Sequence, residues 1–241
     1  VGQAVELARR TVPGLQVSDQ VLVGPLVRTL LVTSETSGLL VLGRSGQGAL
    51  AAHLVGSTTN RMAAHAHCPV VAVPATADRP TDSIEPTRVV LGLADRPTRG
   101  AALDFAIAEA VRHAVPLLVV RAWHGPVGIG VELVFREDEQ LAQVQQLLAG
   151  HLPRCAQQLM TSSMVRAGTP TSVLGGLCRP DDLLVLGQHR HAAFAPPTLG
   201  KVIADCLHQA PCPIAVVPEP AVTADQHERP RVSETAGLIA Y

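Results

Sequence analysis

The chain is 241 residues long, 47% hydrophobic, 16% charged and 2% aromatic, and its 19 Lys+Arg against 20 Asp+Glu give a formal net charge of -1. That balance excludes a polybasic nucleic-acid or membrane-surface protein, which needs clustered positive charge, and the few aromatics leave little to stack on single-stranded bases. The apolar share is ample for a core, and at ~150 residues per domain the length corresponds to roughly one and a half domains.

In chain order, residues up to about Arg10 read as the end of a helix, Gln16–Val23 as a strand, Pro25–Glu35 as a helix and Leu39–Leu42 as a strand. A helix follows Gly56, and Val70–Val73 is a further strand. Ala75–Pro86, rich in Pro, Thr and Asp, reads as a linker. Arg88–Leu93 is a short β-branched run, as expected for a strand buried on both faces. Leu103, Ala106, Ile107, Ala110 and Val111 fall at helical spacing within Ala101–His113. Pro116–Val120 is another buried strand, and Glu137–Ala149 a helix that continues irregularly past Gly150 and Pro153. Met164–Ala167 is a weak strand, Thr171–Leu177 a short helix and Asp182–Gly187 a buried strand. Gly200–His208 is helical, Ile214–Val217 is the last strand, and the polar, aperiodic Ala221–Tyr241 reads as a loose tail.

Apolar strands alternating with helices imply an α/β fold, a parallel sheet with helices on both faces; the right-handed crossover rule favours a doubly wound, Rossmann-like order. No apolar run approaches ~18 residues, so no membrane-spanning helix is expected. The N-terminus has no signal-peptide core, and the five cysteines (Cys68, Cys155, Cys178, Cys206, Cys212) include no C-x-x-C pair. Reduced cysteines in a cytoplasmic protein are the expectation.

The chain repeats itself. Leu39-Leu40-Val41-Leu42-Gly43 recurs as Leu183-Leu184-Val185-Leu186-Gly187, and Cys68-Pro69-Val70-Val71-Ala72-Val73-Pro74 as Cys212-Pro213-Ile214-Ala215-Val216-Val217-Pro218. Gly24 matches Gly168 and Gly56 matches Gly200, every pair lying 144 positions apart. The expected organisation is a first copy over residues 1–74, a linker over 75–86, a second copy over 87–218 and a tail over 219–241. Since the second copy opens near Thr87, the first would open some 57 positions before Val1. The expectation is a chain that carries only the later elements of its first copy, leaving an uncovered sheet edge.

Between strand Leu39–Leu42 and the next helix lies a glycine-rich run with the spacing G-x2-G-x9-G-[ST], carried by Gly43, Gly46, Gly56 and Ser57. Gly43 lets the chain turn off the strand, and Gly46 and Gly48 let backbone amides approach an anion without a Cβ in the way. Gly56-Ser57 opens a helix whose unpaired N–H groups favour phosphate. Taken alone, the run equally describes a tight strand-helix connection with a helix cap. It is no Walker A loop, because Gly200-Lys201 is followed by Val202, and it differs from G-x-G-x-x-G.

The stretch from Leu39 through Gly43, Gly46 and Gly56-Ser57 to His67-Cys68-Pro69-Val70-Val71-Ala72-Val73-Pro74 resembles the universal stress protein family, and Val89-Val90-Leu91-Gly92-Leu93, followed by Pro97, resembles that family's opening strand. The resemblance covers nearly everything outside linker and tail. It implies two tandem Rossmann-like domains, each with strand order 3-2-1-4-5, the first incomplete. It implies pairing of the last strands, within the chain and in a homodimer, and ATP as ligand. The residues matching the family's nucleotide contacts are Leu42, Gly43, Gly46, Gly56, Ser57 and Thr58.

The second copy departs from that pattern. Gly46 is replaced by Arg190 and Ser57 by Lys201, Pro196 and Pro197 stiffen the loop, and the position where the family's opening strand carries an Asp holds Ala94, with Asp95 one place late. The second copy is therefore expected to serve pairing and not to hold ATP, and the chain as a whole to bind ATP weakly. A polyanion site built from Gln188-His189-Arg190-His191 and Lys201 is disfavoured against a solvated basic loop. His65, His67 and Cys68 form H-x-H-C, read as a helix end and not a metal site. Ser57 has no evident base partner, so no catalytic residue is assigned and hydrolysis is at most slow. The reading is an adenine-nucleotide-binding regulatory module of the stress response. Its rivals are a nucleotide-independent dimerisation scaffold and an adenosine-nucleotide hydrolase.

Overall fold

The computed structural model describes residues 2–44, 56–74, 85–94, 100–123, 131–152, 158–188 and 199–219. In chain order these form α1 (Gly2–Thr11), α2 (Leu26–Thr36), β1 (Leu40–Gly43), α3 (Ser57–His65) and β2 (Val70–Val73). The second copy contributes β3 (Arg88–Leu93), α4 (Ala101–Arg112), β4 (Leu117–Trp123), α5 (Val131–His151) and β5 (Thr161–Ala167). It ends with α6 (Pro170–Leu177), β6 (Asp182–Gln188), α7 (Lys201–Gln209) and β7 (Ile214–Pro218). Helix α5 starts earlier than its periodicity indicates and stops short of Pro153, as the residues before a proline disfavour helix. The linker and tail expected from composition fall almost wholly outside the described residues.

The strands form one sheet in the order β1-β2-β7-β6-β3-β4-β5. From β5 to β7 every neighbour is parallel, which is the 3-2-1-4-5 order within the second copy. β1 and β2 are also parallel to each other. The single antiparallel joint is β2 to β7, with Val70 opposite Val216, Val71 opposite Ala215 and Ala72 opposite Ile214. Val71 and Ala215 are 144 positions apart, so a residue pairs with its own equivalent. A pseudo-two-fold axis therefore passes through that pair, and the two copies extend one sheet through it.

Alternate side chains of the strands leave opposite faces of the sheet. Val90, Val120, Leu184, Leu186, Ile214 and Val216 meet Leu174 of α6 and Ile203, Cys206 and Leu207 of α7. Val89, Leu91, Val119, Val185 and Val217 meet Leu103, Ala106 and Ile107 of α4 and Val144 and Leu148 of α5. Met62 and Ala66, from α3 and its C-terminal end, and Val70 of β2 form a third cluster with Val27, Leu30 and Leu31 of α2. The contribution is large because these chains are almost fully buried, each worth ~1.5–3 kcal/mol against exposure.

The repeat extends to the hydrogen bonds. Leu40 donates to the Pro69 carbonyl at 2.9 Å and Leu184 to that of Pro213 at 3.0 Å. Ala66 donates to Met62 at 2.9 Å, Ala210 to Cys206 at 2.8 Å. Gly24 and Gly168, each just ahead of a helix, have φ of +140° and +141°, a region that L side chains rarely adopt.

One expected strand is absent. Residues 16–23 are irregular and pair with nothing in the sheet, and Val21 is 81% and Val23 94% exposed. In the second copy the equivalent strand, β5, is held by its ladder to β4. The positions 144 before β4 precede Val1, so within these residues the apolar run has no ladder partner, and a lone strand is not stable. Val41, on the edge strand β1, is 61% exposed, whereas its equivalent Val185 is buried in the cluster formed with α4 and α5.

Two side chains bolt the copies across the dyad. Arg44 Nη1 donates to the Ala210 carbonyl at 2.5 Å, and Gln188 Nε2 donates to the Ala64 carbonyl at 2.6 Å. Arg44 and Gln188 are equivalents, each following a glycine at the carboxyl end of its strand, and each reaches the end of the other copy's helix. A further polar anchor is specific to the second copy. Asp182, 1% exposed, accepts from Arg88 Nε at 3.0 Å, Arg88 Nη2 at 2.6 Å and the Arg179 amide at 2.8 Å.

Asp182→Asn is expected to lower stability by about 2–4 kcal/mol, because it leaves the Arg88 guanidinium without its counter-charge, discounted for that side chain's 23% exposure. A urea midpoint shift with unchanged slope measures it. Gln188→Ala strands a buried carbonyl and is expected to cost about 1–3 kcal/mol in the same assay.

Candidate functional site

In the first copy, Leu42 and Gly43 close β1, and Gly56, Ser57 and Thr58 open α3. Thr59, 3% exposed, donates its hydroxyl to the Gly43 carbonyl at 2.9 Å, and the Gly56 amide donates to the Arg44 carbonyl at 2.9 Å. These two bonds bring the strand's end and the helix's start together, although twelve residues separate Gly43 from Gly56. Gly46 lies outside the described residues. Gly56 has φ −60° and ψ 142°, its helix has no side-chain cap, and its first turn carries no acid. Among the described residues, a Cβ at Gly56 would come no closer than 4.0 Å to the Arg44 carbonyl and the Thr59 hydroxyl. A helix N-terminus without a side-chain cap or an acid in its first turn is an arrangement that accepts an anion.

In the second copy the same corner is a cavity of about 310 Å³. Gly92, Leu93 and Ala94 line it from the end of β3, Val120 and Ala122 from β4, and Leu186, Gly187 and Gln188 from β6. Pro170 and Leu174 close it from α6, and Gly200 to Ile203 from the start of α7. It lies between β3 and β6, where the chain order reverses, at the carboxyl ends of the strands; open α/β sheets bind ligands there. Gly92 lies at its floor, where a Cβ would stand 2.6 Å from Leu186 Cδ2 and 3.1 Å from Leu174 Cδ1, so those side chains would have to shift to admit one.

Shifted by 144, Leu42, Gly43, Gly56, Ser57 and Thr58 become Leu186, Gly187, Gly200, Lys201 and Val202, all of which line the cavity. The sequence-derived residues and the geometric cavity thus identify one corner of the repeated unit. Leu26 and Leu30 are the equivalents of Pro170 and Leu174. The counterparts of Gly92, Leu93, Ala94, Val120 and Ala122 would precede Val1, so the first copy holds one side of this corner within the chain.

The chemistry of the two corners differs. Where the first copy has the Ser57 hydroxyl, the second has Lys201, whose ammonium bonds Asp205 Oδ2 at 2.7 Å. That ammonium, followed by a contact from the Thr171 hydroxyl at 3.4 Å, holds the Asp205 carboxyl below its ordinary pKa. Arg190, His189 and His191 lie outside the described residues. Sequence reasoning missed the cavity itself and the Gln188 and Arg44 bolts; the shared offset of 44 and 188 was the available signal for the bolts. It also missed Glu219, 5% exposed, whose Oε1 accepts from the Ala102 amide at 3.3 Å at the start of α4.

The universal stress protein family model matches residues 3–74, the first copy. A universal stress protein of Mycobacterium tuberculosis is 33% identical over 221 residues, covering 87% of this chain and 68% of that protein. One from Mycolicibacterium smegmatis is 30% identical over 225 residues, covering 89% and 75%. Among solved structures, a universal stress protein from Archaeoglobus fulgidus superposes with a TM-score of 0.67 at 14% identity, covering 90% of this chain and 76% of that one. With a repeat, a strand order and relatives that agree, the chain belongs to the universal stress protein family.

Proposed function

We propose that this chain is an adenine-nucleotide-binding regulatory module whose ligand is ATP, gripped by Leu42, Gly43, Gly46, Gly56, Ser57 and Thr58. The observation that carries the reading is the coincidence of the equivalents of five of these residues with a cavity at the sheet's switch point. In the first copy the phosphates would meet the uncapped start of α3 and the hydroxyls of Ser57 and Thr58. Residues 1–74 form the nucleotide-binding domain in this reading. Residues 75–86 link it to a second domain, 87–218, that serves mainly pairing, and 219–241 are a tail. Nucleotide would act on the module's packing or partners, in the cytoplasm and as part of a stress response, with hydrolysis slow or absent.

Affinity should be modest. One side of the corner, with the residues that would face adenine, has no counterpart within these residues, so binding rests on the phosphate half. A second reading, a nucleotide-independent pairing scaffold, is favoured by the continuous sheet across β2 and β7, and the last strands would also serve a homodimer.

Calorimetric titration of residues 1–241 with ATP is expected to give a Kd weaker than about 10 μM, in the range of roughly 0.1–1 mM. Gly46→Arg, which copies the second copy's residue, should weaken it at least ~10-fold. No binding by either protein supports the scaffold; low-micromolar binding overturns the half-site reading. Thr59→Val, which removes the hydroxyl bonded to Gly43 at nearly constant shape, should cost about 1 kcal/mol of stability and weaken ATP in parallel.

A further inference from the structure

The second copy's cavity has the position of a ligand site and the wrong chemistry for a nucleotide. We propose that it binds a small, uncharged, planar apolar ligand, one fused-ring aromatic system without a phosphate, independently of the site proposed for the first copy. Its volume of about 310 Å³ lies at the low end of small-molecule cavities, which span ~300–1,000 Å³. Leu93, Val120, Leu174, Leu186 and Ile203 give it hydrocarbon walls, while Gly92, Ala94, Ala122 and Gly200 present almost no side chain and leave a slot between the sheet edge and the two helices.

Its polar side chains are already engaged. Gln188 spends its amide on the Ala64 carbonyl at 2.6 Å. Lys201 pairs with Asp205 at 2.7 Å, and its side chain is 87% exposed. Among the described lining residues Lys201 is the one cation, and it points to solvent, so the walls hold no buried charge to offset a phosphate, and an unpaired charge at an apolar wall is strongly unfavourable. Burial of a neutral ring gains the transfer free energy without that penalty. The replacement of Ser57 by Lys201 therefore changes the ligand class while the corner itself persists.

The neutral dye N-phenyl-1-naphthylamine, titrated into the full chain and read by fluorescence, tests this. Saturable 1:1 binding in the range of about 1–50 μM is expected. Gly200→Leu adds a side chain at a residue that lines the cavity, from a backbone conformation open to any residue. It should raise the Kd at least ~10-fold with the unfolding midpoint unchanged. Ala122→Leu, from the opposite wall, should do the same, so the result does not hang on one variant folding. Gly46→Arg should leave dye affinity unaltered, which separates this site from the ATP site. Three outcomes overturn the proposal: no saturable signal, equal affinity in both filled variants, or displacement of the dye by millimolar ATP in the Gly46→Arg background. The second would mean that the dye sits on exposed residues such as Val21 and Val23.

Discussion

The joint between β2 and β7 is the constraint on which the rest of the molecule depends. It is only three registered pairs long, yet it carries the pseudo-dyad, because Val71 lies opposite its own equivalent Ala215. Self-pairing of this kind needs a strand that is acceptable to itself, and Val70-Val71-Ala72-Val73 and Ile214-Ala215-Val216-Val217 meet that requirement with only alanine and β-branched residues. Both strands are otherwise edges, and an unpaired edge is an aggregation hazard. Joining them removes two edges at once and buries Val70, Ala72, Ile214 and Val216 to 1% exposure or less.

The joint also brings each ligand corner close to the other copy. Arg44 and Gln188 each follow a glycine at the carboxyl end of a strand, and the polar tip of each is fixed to the far copy's helix. Gln188 lines the second cavity and holds α3 near its C-terminal end; α3 is the helix whose N-terminus faces the proposed phosphate position. A rigid nine-residue helix connects those two ends. Any shift of Gln188 would leave the buried Ala64 carbonyl without its donor.

Much of this was legible in the residues. Runs such as Arg88-Val89-Val90-Leu91-Gly92-Leu93 and Leu183-Leu184-Val185-Leu186 can be little other than doubly buried strands, and the repeat at 144 aligned their order. Local pattern failed at Gln16–Val23, whose alternation is as good as that of a real strand. A strand forms only against a ladder partner, and no window of sequence reports whether one is present. The site was half legible. Glycines at turns announce backbone requirements locally, so Gly43 and Gly56 were visible in the motif. The cavity walls Leu93, Val120 and Leu174 come from three separate elements and look like ordinary core residues until the topology assembles them.

The two corners show how a repeat diverges at fixed backbone. Gly56 and Gly200 have the same φ and ψ within 2°, and the helices behind them end in the same capping bond. What changed is side-chain chemistry at the rim: Ser57 against Lys201, Thr58 against Val202, Thr59 against Ile203. Thr59 uses its hydroxyl to tie the first helix to its strand, whereas Ile203 turns the same position into core and adds to the apolar wall. Lys201 introduces a charge, but Asp205, one turn along α7, absorbs it locally. A substitution that brings its own counter-ion leaves the fold untouched and the pocket apolar. The copy in which Lys201 stands in place of Ser57 thus keeps a well-formed hollow, while β2, β7, the bolts and the core maintain the joint.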